Sequence, residues 1–123
     1  MKRDMDIVRR IALAAEDLQY GYHLTGLDDV APEVFGIHVI WMKEAGLVHA
    51  HVSEYLSPLD DPPDASVIRL TWSGCEFVDA ARSDTIWNKA KTTLIKPAAS
   101  FSFQILREWL AAEIKQGLPT LRG

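Results

Sequence analysis

Cysteine is nearly absent from this chain: Cys75 stands alone among 123 residues, so no internal disulfide can form. No apolar run exceeds a few residues, far short of the ~18–20 that a bilayer-spanning helix needs. The chain opens on Met1-Lys2-Arg3-Asp4 with no apolar signal segment behind it, and together with the single thiol this makes a reducing cytoplasm the expected compartment. Glycine-rich phosphate loops, Gly-x-Ser-x-Gly elbows and His-Glu-x-x-His pairs are missing as well, so neither a catalytic residue nor a cofactor site is expected and the chain reads as a non-enzyme. Cations are scarce in the middle. Residues 28–64 hold only Lys43 against eight carboxylates, which opposes contact with a phosphate backbone there.

What is present is core-forming material. Hydrophobic residues make up 48% of the chain, including four Trp and four Phe, which excludes general disorder. A chain of this length suits one domain, here 1–123, and buries about two-thirds of its unfolded surface. Met5, Ile7, Val8, Ile11, Ala14, Ala15 and Leu18 recur every three or four residues behind Asp4, predicting a first helix over about 4–19, followed by Gly21. Tyr22–Thr25 reads as a short edge strand. A second helix is predicted from Ala31-Pro32 to Ala45, capped by Asp28 or Asp29 and closed by Gly46. Helical placement puts Val34, His38, Trp41 and Ala45 on its core side, leaving Glu33, Gly36, Val39, Ile40 and Lys43 outward.

Residues 46–56 and Val67–Thr71 read as two antiparallel strands joined by the proline- and aspartate-rich tract 57–66. Ser73-Gly74-Cys75-Glu76 has the spacing of a capping box, predicting a helix that runs on to about Ile95. After the Lys96-Pro97 break, Ser100 or Ser102 caps a last helix within 97–116, whose apolar side holds Phe103, Leu106, Trp109, Leu110 and Ile114. Helix, short strand, helix, wing-like hairpin and two carboxy-terminal helices make an α+β chain of winged-helix type. The segment 20–31 is too short for the usual additional helix, and the last helix is expected to make a homodimer.

The opening Met-Lys-Arg-Asp-Met-Asp-Ile-Val-Arg-Arg, the turn Glu44-Ala45-Gly46-Leu47-Val48 and the block Leu70-Thr71-Trp72-Ser73-Gly74-Cys75-Glu76-Phe77 through Lys89 resemble an uncharacterised domain-of-unknown-function family of bacterial and prophage genomes. The resemblance covers essentially the whole chain. It implies a small cytoplasmic, phage-associated protein of winged-helix-like build, and it supplies no activity and no functional residue. Members of that family usually carry histidine where this chain has Cys75.

Two interaction readings follow. The first, taken from fold analogy, is association with DNA in a transcription-related role, through a basic patch built from Arg9, Arg10, Lys89 and Lys91. The alternative is a protein-interaction module: Gly36, Val39, Ile40 and Lys43 give the second helix an outward face too apolar for base readout, and the acidic wing of Asp60, Asp61 and Asp64 repels phosphate. His49 and His51 project from one strand face and need further ligands before they hold a metal, so no metal site is expected. His38 reads as a packed histidine with one hydrogen-bond partner. Thr71-Trp72 and Ile86-Trp87 read as core anchors. Asp79 and Arg82, three residues apart, read as a surface ion pair.

Overall fold

The computed structural model describes residues 1–53, 64–95 and 102–117. The order is α1 (Met5–Glu16), α2 (Pro32–Glu44), β1 (Val48–Ser53), β2 (Asp64–Leu70), α3 (Trp72–Ala81), α4 (Asp84–Ala90), a π-helical turn (Lys91–Ile95) and α5 (Phe103–Gly117). The described residues are therefore α+β, with five α-helices and a two-stranded antiparallel sheet. They divide into two compact units, Met1–Val78 and Asp79–Gly123, and α3 carries the chain from the first into the second.

In the first unit, Asp4 caps α1 by accepting the Asp6 N–H at 2.9 Å. Met5, Val8, Ile11, Ala12 and Ala15 form its buried stripe. Leu24 exchanges two 2.9 Å backbone hydrogen bonds with Val67 of β2, so the predicted edge segment pairs at a single bridge rather than along a strand. Residues 20–31 contain no helix. β1 and β2 pair from Val48↔Leu70 to Ser53↔Asp64, with a bulge that slips the register between His49 and Ala50. Asp64, Ala65 and Ser66, assigned to the loop by their composition, are already strand, because no proline follows Pro63 to interrupt pairing with Ser53, Val52 and His51. Asp60, Asp61 and the rest of the wing tract lie outside the described residues.

Two of the sequence blocks that carry the resemblance meet here. α2 ends at Gly46, whose φ of 78° suits a residue without Cβ and turns the chain into Leu47 and β1. Thr71 lies across that turn: its N–H donates to Leu47 O at 3.0 Å and its Oγ1 donates to Gly46 O at 2.5 Å. The same Oγ1 accepts from Gly74 N–H at 3.0 Å, so Thr71 is the cap of α3. The expected capping box at Ser73 is thus displaced by two residues, and Ser73 lies inside the helix. Gly74 sits where a Cβ would collide with the Leu47 carbonyl oxygen, so side-chain size here is limited by backbone. Phe77 and Val78 follow it into the core.

The single helix expected from residue 73 to 95 is interrupted at Arg82-Ser83. Ser83 leaves helical geometry and its hydroxyl accepts from Ile86 N–H at 3.2 Å, starting α4 afresh. In the second unit α4 packs against α5. Ala81, Trp87, Ala90, Leu106 and Leu110 are its buried apolar residues among those described. Ser102 caps α5 by accepting from Ile105 N–H at 3.1 Å, while Ser100 and the Lys96-Pro97 break lie outside the described residues.

Candidate functional site

The outward face of α2 differs from the one that helical placement selects. Phe35, Gly36, His38, Val39 and Met42 are buried, so two members of the expected interaction surface, Gly36 and Val39, belong to the core. Of that set only Ile40, half-buried, and Lys43, exposed, reach the surface. The reason is that this helix is apolar on nearly every side, so a period of 3.6 does not by itself choose the inner face. Phe35 decides it. Phasing the helix on Phe35, Val39 and Met42, spaced four and three residues apart, would have found the true orientation.

Opposite that buried side stand Glu33, Ile37, Ile40, Trp41 and Glu44. The three apolar residues are half-buried and the two glutamates are exposed, which makes an apolar stripe with a carboxylate at each end. The expected Asp28 or Asp29 cap is absent. Ala31 occupies the N-cap without a side-chain bond, and Pro32 begins the helix. Asp29, in the left-handed region at φ 60°, instead accepts from Arg10.

Trp41 is fixed in place by His38, whose ring meets it edge-on at a centroid distance of 5.1 Å. His38 is fully used. The Asp4 N–H can only donate, and it does so to Nε2 at 2.9 Å, which leaves the imidazole proton on Nδ1 to donate to Val34 O at 2.7 Å. The sequence pattern predicts one partner for His38; the structure gives two, and the bond from Asp4 ties α2 to the start of α1. The apolar stripe is therefore presented on a helix that a part-buried hydrogen bond from Asp4 N–H to His38 ties to the start of α1.

The candidate nucleic-acid contacts are engaged elsewhere. Arg10 donates to Asp28 O at 3.2 Å and forms an ion pair with Asp29 at 2.7 Å. Lys89 is bonded to Glu113 at 3.0 Å. Arg9 and Lys91 are half-buried and also have partners. Arg9 and Arg10 belong to the first unit, and Lys89 and Lys91 to the second.

His49 and His51 are both exposed on one face of β1, opposite Arg69 and Ser66. Among the described residues no group of three His, Cys, Asp or Glu side chains could hold a metal ion. Asp79 and Arg82 form the expected surface pair at 3.1 Å. Trp87 is a core anchor, whereas Trp72 is not: it is 83% exposed on the first turn of α3. With Thr71 as the cap, Trp72 is the first helical residue of α3. Cys75 is exposed on the same helix.

The model of a protein family described as "Hypothetical protein (DUF2513)" matches residues 2–100, a span that ends before α5. An uncharacterized protein of Haemophilus influenzae is 31% identical over 127 residues, an alignment covering 96% of this chain and 99% of that relative. No solved structure matches significantly.

Proposed function

The chain belongs to the DUF2513 family, and from its geometry we propose that its first unit is a reduced winged-helix-type module, working in the cytoplasm, that recognises a protein. In this reading α2 stands where a recognition helix would, β1 and β2 form the wing, Leu24 supplies the third strand position, and the helix usually found between residues 20 and 31 is dispensed with. The observation that carries the proposal is the outward stripe of Ile37, Ile40 and Trp41 between Glu33 and Glu44.

A base-reading helix presents Arg, Lys, Asn or Gln to base edges and gains affinity by displacing counterions from phosphates. This one presents apolar surface and carboxylates, a pattern that suits the desolvated centre and charged rim of a protein interface. Arg10 and Lys89 are held in ion pairs within the chain, which leaves them less available to phosphate.

Fluorescence anisotropy with random duplex DNA at low and moderate salt tests the proposal. The expected result is no binding at either salt concentration. Binding that falls steeply with salt and is removed by Arg9→Ala/Arg10→Ala together with Lys89→Ala/Lys91→Ala would replace it with the DNA-associated, transcription-related reading.

A further inference from the structure

We propose that α5 is a self-association helix, through which two copies of this chain pair antiparallel. This inference rests on the second unit and is independent of what α2 recognises. The inner side of α5 is already occupied: Leu106 and Leu110 are fully buried, Glu113 holds Lys89, and the Arg107 guanidinium lies 6.0 Å from the centre of the Phe103 ring. On the adjacent side a second apolar stripe runs along the helix at four- and three-residue spacing, made of Ile105, Trp109 and Ala112. Ile105 is 49% exposed, Trp109 is half-buried and Ala112 is exposed. A large exposed aliphatic beside a partly exposed indole is costly in water and favours burial against a partner.

The partner that fits is a second copy, for reasons of shape and charge. In an antiparallel pair centred between Leu110 and Ala111, the Trp109 ring of each protomer falls over Ala112 of the partner subunit, large against small, as closely packed helices require. The flank beside the stripe carries Glu108 and, two turns later, Lys115, both exposed. Antiparallel two-fold pairing brings that flank against its own reversed copy, so Glu108 of each chain comes within side-chain reach of Lys115 of the other, twice per dimer. Among the described residues Glu108 accepts a 3.2 Å hydrogen bond from Gln104 on one oxygen, and a carboxylate has capacity for a further donor.

The test is sedimentation equilibrium of the full chain over a dilution series, with circular dichroism confirming that each variant is folded. The wild type is expected to dimerise reversibly. Ile105→Asp, at a half-exposed position that the monomer tolerates, should move it to monomer. Glu108→Lys should weaken the dimer about tenfold through its two symmetry-related pairs. The double reversal Glu108→Lys/Lys115→Glu should restore it. A monomer at every concentration, or a dimer indifferent to Ile105→Asp, overturns the proposal. A double reversal no tighter than the single one overturns the antiparallel arrangement.

Discussion

The two units of this chain are held together by different means. In Met1–Val78 the packing is fastened by polar groups reaching between elements: the His38 imidazole joins α2 to the start of α1, and Thr71 joins the start of α3 to the turn after α2. The His38 ring is buried, so losing its Asp4 partner leaves a polar nitrogen costly to hydrate, whereas the Thr71 bond to Gly46 is exposed and acts by tying two chain segments together. Among the described residues of Asp79–Gly123 the buried set is small and wholly apolar, the Arg82–Asp79 pair lies in water and the Lys89–Glu113 pair is partly exposed. The first kind of fastening ties a helix to its neighbours, which a recognition face needs. The second leaves the helix surface free to seek a partner.

That contrast predicts a ranking of substitutions. Trp87→Ala should have the largest effect, about 3–5 kcal/mol, because it removes the largest buried side chain among the described residues of its unit. Hydrogen exchange of the α4 and α5 amides reads this directly. His38→Ala should cost about 2–4 kcal/mol by combining a cavity with a stranded Asp4 N–H, and exchange at the start of α1 should accelerate. Gly74→Ala should cost about 1–3 kcal/mol, since the obstacle is the Leu47 backbone and not a movable side chain. Denaturant titration measures it, with Ser73→Ala as a neighbouring control.

Lys89→Ala should be the mildest, about 0.2–1 kcal/mol, and should shrink further in high salt. If Lys89→Ala proved as damaging as Gly74→Ala, the contrast between the units would collapse. If Gly74→Ala were harmless, the clamp at Thr71 would be looser than its bond lengths imply.

The legible parts of the fold were those decided locally. The α1 stripe, the turn at Gly46, the Ser102 cap and the shared face of His49 and His51 each depend on a few adjacent residues. What the sequence concealed was decided at long range. Thr71 and Ser73 are comparable caps on local grounds, and the choice between them is made by Gly46 O, 25 residues away. Ser83 carries a legible start signal, with Asp84 behind it, that the strong apolar pattern from Phe77 to Ile95 overrode.

The facing of α2 is where sequence pattern and structure differ with the greatest consequence. An all-round apolar helix takes its orientation from what surrounds it, and Phe35 with Val39 outweighed Val34 with Trp41 for the inner side. The candidate surface therefore moved from Gly36 and Val39 to Ile37 and Trp41, with Ile40 common to both. Its chemical character, apolar with acid nearby, stayed the same.

The most direct test of the account is photo-crosslinking from position 40. Full-length protein carrying a benzophenone amino acid in place of Ile40 would be irradiated in lysate of its own cells, and the adducts analysed by mass. The account predicts a discrete protein adduct that excess unlabelled wild type competes away and the Ile37→Asp variant does not. An adduct to nucleic acid, or the absence of any competed adduct, would contradict the claim that this helix face recognises a protein.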